Sequence, residues 1–154
     1  MSGLFLITVS ADAADRSLLP SYDSLFDSAA YLMSAEDVVV PAGKRVAVST
    51  GVRMSMPNTE LCGLLSPVMN LSIDGLLMMD SGRVIDQWDV SEIKTLLWNT
   101  TDGDITLAKG QRVCRYSIIP VAHASYVSVP ADVLDTIHHS DECGAAMDWS
   151  SLEH

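Results

Sequence analysis

Short stretches of alternating apolar and polar residues, each closed by turn-forming residues, recur along most of this 154-residue chain. Such spacing is typical of all-β sandwiches and barrels, because each strand buries one face and the chain must turn after it. Turn-forming residues occupy 41–43, 57–58, 99–103 and 108–110. The pattern predicts strands at residues 4–9, 37–40, 45–49, 53–56, 61–65, 92–98, 104–107, 112–119 and 125–129.

Helical patterns are scarce in the sequence. Residues 24–33 are expected to form one or two helical turns, and residues 130–139 a short helix with Pro130 in its first turn, where proline is tolerated. Residues 140–151 show no periodicity, and we expect a mobile C-terminal arm there. The last three residues, 152–154, are similar to the start of a purification tag. The sequence thus predicts one barrel domain over residues 1–139, followed by the arm and the tag remnant.

Acidic residues outnumber basic ones by 20 to nine, which gives a formal net charge of −11. Nucleic-acid binding requires clustered Lys and Arg, so the composition argues against a DNA or RNA partner but not against a small anion. Cys62, Cys114 and Cys143 form no CxxC pair, and we expect reduced thiols in a cytoplasmic protein, or in the host-cell interior if the source is viral. No apolar run is long enough to span a bilayer, so we expect no membrane partner.

Three segments carry a resemblance to a known family: SAEDVVVPAGKRVAVSTGVRMSM at 34–56, GRVIDQWDVSEIKTLLWN at 82–99 and GQRVCRYSIIPV at 110–121. In this order and with these gaps they are similar to the trimeric dUTPase family, whose fold is shared with dCTP deaminase. The resemblance implies a jelly-roll-like β-barrel and a homotrimer whose active sites are each built from more than one subunit. It also implies a site for a deoxyuridine nucleotide with Mg²⁺ on its phosphates.

The nucleoside end of the implied site is well matched. Val84, Ile85 and Asp86 match the segment that reads the uracil edge in the family, and Asp86 stands where a catalytic Asp orients the attacking water. Asn99 follows Asp86 at the family's spacing of thirteen residues. Trp88 lies one place before the family's ribose-packing Tyr, and it is either an aromatic platform for a base or a residue packed on the barrel surface.

The phosphate end of the implied site is replaced. Tyr31 stands where the family carries an Asp that helps to hold Mg²⁺, and a phenol is a poor ligand for that ion. Val68 replaces the Arg of a Pro-Arg-Ser-Gly run, while Ser66 and Asn70 keep hydrogen-bonding groups there, either for a ligand or as turn caps. Arg115 stands where a Gln contacts phosphate, and it is either an anion contact or an exposed strand residue.

Two classes of function follow from these matches. The first is a binding or regulatory protein with a nucleotide pocket, no cofactor and little or no dUTP hydrolysis. The second is a divergent diphosphatase that converts dUTP to dUMP and pyrophosphate, with Asp86 as catalytic base and Mg²⁺ held mainly by the phosphates. The apolar run at 75–79 is a candidate contact with a protein partner, or else it is buried in the barrel. We expect no metal site formed by the protein alone.

Overall fold

The structure is a computed structural model that describes residues 8–11, 16–57 and 60–133. The chain divides into two compact units, residues 1–122 and 123–154. In the described residues the first unit consists of strands, a 3-10 turn at Arg16–Leu18 and a five-residue helix. The elements are β1 (Thr8–Ala11), β2 (Ala30–Met33), β3 (Val38–Val40), β4 (Arg45–Ser49), β5 (Val52–Ser55), β6 (Leu61–Ser66), α1 (Met69–Ile73), β7 (Leu76–Met78), β8 (Val84–Ile85), β9 (Lys94–Asn99), β10 (Ile105–Leu107) and β11 (Arg112–Pro120).

The strands form four antiparallel sheets, in the orders β1-β5, β3-β10, β2-β11-β6-β8 and β4-β9-β7. All four sheets contribute to one hydrophobic core. Its members are Leu32, Val40, Val48, Val52, Met54, Leu65, Leu71, Leu76, Ile85, Ile93, Leu97, Leu107, Val113, Cys114 and Tyr116. The predicted all-β class is therefore confirmed. Of the helices in the described part of the chain, none has the length and apolar character needed to cross a membrane.

Asn99 is a buried amide that joins β9 to its neighbours. Its Nδ2 donates to the carbonyl oxygens of Val40, at 2.9 Å, and Gly103, at 2.7 Å, while its Oδ1 accepts the Thr101 N–H at 2.9 Å. A buried amide with all its polar atoms bonded avoids the desolvation cost of an unpaired one. Asn99 therefore holds the turn at 99–103 against β3.

Several sequence predictions are wrong. Residues 24–33 do not form helical turns: Asp27 accepts backbone hydrogen bonds from Asp23 and Ser24 in a loop, and β2 then pairs with β11. Residues 125–129 form no strand in the described structure, because no other described strand pairs with them. The elements α1, β7 and β8 were not predicted. Residues 131–133 are helical as expected, and the rest of the predicted 130–139 helix lies outside the described residues.

Tyr116 on β11 packs directly over Gly63 on β6. A Cβ at Gly63 would overlap the hydroxyl and the Cζ of the Tyr116 ring, so only glycine fits there. The Tyr116 hydroxyl is buried and has no hydrogen-bond partner among the described residues, and burial raises the pKa of this phenol. The close approach of backbone and ring thus depends on the missing side chain at Gly63.

We expect Gly63→Ala to lower the free energy of unfolding by roughly 1–3 kcal/mol, because the added methyl group overpacks the core against the Tyr116 ring. Urea denaturation monitored by circular dichroism measures the change. Gly103→Ala is the matched control, since a Cβ there meets no atom within 4 Å. Equal stability of the two variants would contradict the packing argument.

Candidate functional site

Three of the side chains singled out in the sequence lie in one row across the sheet β2-β11-β6. Arg115 is the cross-strand partner of Tyr31 on one side and of Ser66 on the other. All three are partly exposed, whereas the next residues along β11 and β6, Tyr116 and Leu65, are buried. Directly opposite residues in a sheet point to the same face, so the row lies on the outer face of the barrel wall.

A β-bulge brings a second arginine to this row. The register of β11 against β2 shifts between Arg112 and Cys114. Residues three apart on a regular strand point to opposite faces, but the extra residue of a bulge restores Arg112 and Arg115 to one side. The guanidinium carbons of Arg112 and Arg115 lie 4.0 and 5.6 Å from the centroid of the Tyr31 ring. Tyr31 is thus flanked by two cations.

The two arginines differ in how their charges are matched. Arg112 holds Asp23 in a bidentate ion pair, with one nitrogen at 2.9 Å from Oδ2, and this bond raises the pKa of the guanidinium. The Nε of Arg115 is buried and bonds to no acceptor in the described residues. A buried donor without a partner costs about 1–3 kcal/mol, so the Arg115 Nε is an unsatisfied donor in a partly exposed side chain.

The loop after the row offers few groups to a ligand. Val68 is the N-cap of α1 and makes no side-chain capping bond. The helix N-terminus is therefore not capped by the residue at that position. Asn70 is exposed on α1, and Ser66 ends β6 beside Arg115. Both hydroxyl and amide remain available to a bound molecule.

The nucleoside-end residues lie in β8 and in the loop that connects it to β9, a strand of a different sheet. Ile85 is buried in the core opposite Gly63, whereas Val84, opposite Leu64, and Asp86 are exposed. Ile85 can therefore offer a ligand only its backbone. The Asp86 carbonyl accepts the Asp89 N–H at 3.0 Å, which closes a tight turn in the loop between β8 and β9.

Trp88 lies in this turn of the β8–β9 loop, with 81% of its surface exposed. Within this chain it is therefore not packed on the barrel surface. The loop is braced on both sides: Arg53 Nε donates to the Val90 carbonyl at 2.7 Å, and Arg83 pairs with Asp89 at 3.8 Å. Hydrogen bonds from Ser91 lower the pKa of the Asp89 carboxyl, with the charge of Arg83 adding to the effect.

Glu92 anchors the start of β9 to the turn between β4 and β5. It accepts hydrogen bonds from the Ser49 hydroxyl and the Gly51 N–H, the latter at 3.0 Å, and lies 3.5 Å from the Lys94 ammonium. Burial alone would raise the pKa of Glu92, but these bonds and the Lys94 charge outweigh it and lower the pKa. Glu92 is therefore a structural carboxylate.

The structure separates the site residues into two clusters within one chain. Asp86 follows Ile85 and so lies opposite Cys62, where its charge, after burial, contributes to a raised pKa of the Cys62 thiol. Ser66 is four residues further along β6, about 13 Å at roughly 3.3 Å per residue. Asp86 is therefore distant from Ser66, a member of the cationic cluster (Asp23, Tyr31, Ser66, Arg112 and Arg115), within one chain. Val84, which begins the loop cluster (residues 84–92), lies opposite Leu64, two residues from Ser66.

The cationic cluster does not fit a magnesium ion. Mg²⁺ takes oxygen ligands, chiefly carboxylates and waters, in an octahedral arrangement. Tyr31 presents a phenol flanked by two guanidinium groups, and the Asp23 carboxylate is already paired with Arg112. Among the residues that the structure describes, no group of three or more His, Cys, Asp or Glu side chains could hold a metal.

The comparisons with known proteins agree with the fold and the matched motifs. The antiparallel architecture is that of a dUTPase-like β-barrel: the crystal structure of dUTPase from Streptococcus mutans superposes with a TM-score of 0.69 at 27% identity, over 78% of this chain and 98% of that one. The family model of dUTPase matches residues 20–145. The chain therefore belongs to the dUTPase family.

Two curated relatives are named deoxyuridine 5′-triphosphate nucleotidohydrolase. The protein from Paramecium bursaria Chlorella virus 1 is 39% identical over 84 residues, which cover 54% of this chain and 58% of the relative. The protein from Ehrlichia canis is 32% identical over 127 residues, 80% of this chain and 82% of the relative. The chain thus spans little more than half of the first relative and most of the second.

Sequence reasoning found Tyr31, Ser66 and Arg115 but missed two members of the cationic cluster. Asp23 and Arg112 lie 89 residues apart and meet only because β11 pairs with β2 beside the loop that holds Asp23. The one local signal was an arginine three places before Arg115, and its facing depends on the bulge.

We expect Glu92→Gln to destabilise the protein by about 1 kcal/mol at pH 7, because glutamine keeps the acceptor but loses the charge that strengthens the bonds from Ser49 and Gly51. A carboxyl whose pKa is lowered on folding stabilises above its ordinary pKa of 4.5, and this contribution disappears as pH falls through the folded value. The difference between wild type and variant should therefore shrink below about pH 4.5 in urea titrations.

Glu36→Gln is the control for this pH dependence, since the Glu36 side chain is exposed. A constant difference between wild type and Glu92→Gln from pH 7 to pH 3 would contradict the assigned role.

Proposed function

We propose that the chain is a binding or regulatory protein on a dUTPase-family scaffold, with a nucleotide pocket and little or no dUTP hydrolysis. The observation that carries the proposal is the chemistry of the cationic cluster. The position of the Mg²⁺-holding Asp is Tyr31, whose ring lies within 6 Å of the guanidinium carbons of Arg112 and Arg115, and Val68 takes the place of the phosphate-binding Arg. Loss of several charge-assisted contacts lowers a rate by orders of magnitude.

The loop cluster supports a deoxyuridine-type ligand. Val84 and Trp88 are exposed beside Asp86, and the bracing by Arg53 and Arg83 holds the loop in place. A base stacked on an aromatic side chain gains roughly 1–3 kcal/mol without any phosphate contact. We therefore propose that the nucleoside part of a ligand supplies most of the affinity at this loop.

The alternative function is a divergent deoxynucleoside triphosphate diphosphatase. Two observations favour it: the relatives carry the name of that enzyme, and Asp86 is exposed at the position of the catalytic base. In this case Asp86 would orient the attacking water, and Mg²⁺ would arrive on the phosphates of dUTP. We place this diphosphatase function after the binding function because Val68 offers no hydrogen-bond donor to a phosphate.

A homotrimer is the assembly that we propose. The outer face of the sheet β4-β9-β7 has an apolar centre: Leu96, Leu77 and Met79 are 36, 39 and 44% exposed, and Ala47 is the β4 neighbour of Leu96. The exposed Arg45 and Lys94 lie on the same face on either side of this centre. In the run at 75–79 Leu76 is buried, so burial and surface contact each account for part of the run. Pairing copies through this face would cover apolar surface.

The division of the site residues supports the same assembly. The positions of Asp86 and Ser66 are about 13 Å apart along β6, so a pocket in which these two side chains meet takes the β8–β9 loop from a second copy. A second copy of this chain is therefore the protein partner that the surface fits.

A cytoplasmic location, or the host-cell interior if the source is viral, is proposed from the thiols. Cys62 and Cys114 are both buried and unpaired, and burial raises the pKa of Cys114 to about 12. Buried protonated thiols are unreactive and suit a reducing compartment.

We expect deoxyuridine to bind weakly and without dependence on Mg²⁺, and Trp88→Ala to weaken the binding by about tenfold or more, because the stacking platform is lost. Isothermal titration calorimetry with and without EDTA measures both effects. Tyr126→Ala is the control, since Tyr126 is an equally exposed aromatic residue in the second unit.

The same preparation decides between the two functions. Pyrophosphate release from dUTP with Mg²⁺ should stay well below about 1 per second. Faster turnover that Asp86→Asn abolishes would overturn the proposed function and put the diphosphatase first.

We expect light scattering at micromolar concentration to give three times the 16.6 kDa chain mass, and Leu96→Lys to lower it, because a charge in the apolar face would be desolvated on assembly. Val39→Lys, an exposed valine on β3, should leave the mass unchanged. A monomer mass for the wild type would refute the assembly.

A further inference from the structure

We infer that the loop cluster is a docking surface for an arginine side chain of a protein partner. The guanidinium of that arginine lies over the Trp88 ring and pairs with the Asp86 carboxylate. The inference names the kind of partner that a regulatory protein on this scaffold would bind. It rests on the proposed function only in so far as both use Trp88.

The first argument is the apolar surface of the loop cluster. Trp88, Val84 and Val90 are 81, 53 and 44% exposed. Arginine side chains of the described residues lie over the rings of Tyr31 and Trp98, but none lies over Trp88. An aromatic face attracts a guanidinium group within about 6 Å of its centroid, so the Trp88 ring is free to take one from outside the chain.

The second argument is the uncommitted charge beside that ring. Asp86 opens the tight turn whose third residue is Trp88, and the ends of such a turn lie within about 7 Å of each other. Asp86 is exposed, and its carboxylate makes no hydrogen bond or ion pair with the described residues. A cation over Trp88 therefore has an acceptor close by.

The third argument is that the other charges around the turn are already bound. Asp89 accepts the Ser91 N–H at 3.1 Å and pairs with Arg83 at 3.8 Å. Glu92 is bonded to the turn between β4 and β5. Arg53 donates its Nε to the Val90 carbonyl and leaves Asp86 unpaired. These contacts hold the loop, so Asp86 is the charge that a partner meets.

The fourth argument decides the chemistry of the partner. The chain carries a formal charge of −11, which repels nucleic acids and acidic proteins and attracts a basic segment. Arginine suits the site better than lysine, because its planar group stacks on an aromatic ring and donates two parallel N–H bonds to a carboxylate. Its aliphatic stem would cover the apolar surface of the exposed valines.

The test uses the full chain and a capped peptide of alternating glycine and arginine as the probe. The comparison peptide carries citrulline, which keeps the planar group and loses the charge. Tryptophan fluorescence and calorimetry at constant ionic strength should show binding of the arginine peptide, and roughly tenfold weaker binding of the citrulline peptide. A lysine peptide should bind with intermediate affinity.

Trp88→Ala and Asp86→Asn should each weaken the arginine peptide by roughly two- to fivefold, because each removes one exposed contact. Both side chains are exposed, so the thermal midpoints should match that of the wild type. The controls are Asp102→Asn, which removes an exposed carboxylate from the turn at 99–103, and Tyr126→Ala, which removes an exposed ring from the second unit. Both controls should bind the peptide as the wild type does.

Equal affinity for the arginine and citrulline peptides would overturn the inference. Weakening by Asp102→Asn as large as that by Asp86→Asn would also overturn it, because the attraction would then come from the charge of the whole chain. No binding by the wild type at millimolar peptide would do the same. If Arg115→Gln then bound the peptide, the occupant of the loop cluster would be the cationic cluster of a second copy.

The nucleoside pocket and the docking surface fail separately. Deoxyuridine is uncharged, so its affinity should not depend on salt, whereas the peptide affinity should fall as NaCl is added. Peptide binding of this kind without deoxyuridine binding would refute the nucleoside pocket and support the docking surface. Deoxyuridine binding without peptide binding would do the reverse.

Discussion

The antiparallel ladder that joins β11 to β2 and β6 positions both the core and the candidate site. Because side chains alternate along a strand, a slip of one residue would turn Tyr116 outward and Arg115 inward. Gly63 holds the register on the β6 side, since the Tyr116 ring fits only over a residue without a side chain. On the β2 side the bulge at 112–114 turns Arg112 to the outer face. The register of β11 therefore fixes both the inward position of Tyr116 and the outward position of Arg112 and Arg115.

The charges of the barrel are distributed unevenly along β6. At one end of the strand Arg112 and Arg115 flank Tyr31, with Asp23 as the carboxylate between loop and sheet. At the other end Asp86 is exposed beside Trp88 in the β8–β9 loop, which also carries Asp89 and Glu92. A phosphate is attracted to the first region and repelled by the second, while an uncharged nucleoside tolerates both.

Sequence patterns predicted the strands whose alternation is strong and whose ends are marked by turn residues, such as β4, which matches the predicted 45–49. They failed for residues 24–33, where helical turns were expected and β2 formed. Four residues carry too short a pattern to decide, and pairing with β11 determines the strand. Residues 125–129 have strand-like composition, but strand formation needs a partner, and no described strand supplies one. Local pattern therefore predicts where a strand is compatible, and pairing decides whether it forms.

The sequence by itself determined the all-β class, the membership of the dUTPase family and the positions at which that family's phosphate ligands are replaced. These follow from local alternation, turn residues and motif spacing, which are properties of neighbouring residues. Only the tertiary structure decided that Arg112 is neutralised by Asp23, 89 residues away, while the Arg115 Nε is buried with no partner in the part of the chain that the structure describes. It also decided that Trp88 is exposed in the β8–β9 loop, which Arg53 and Arg83 hold in place. The physical reason is that charge pairing and desolvation depend on which distant segments pack together, and spacing along the chain does not encode that.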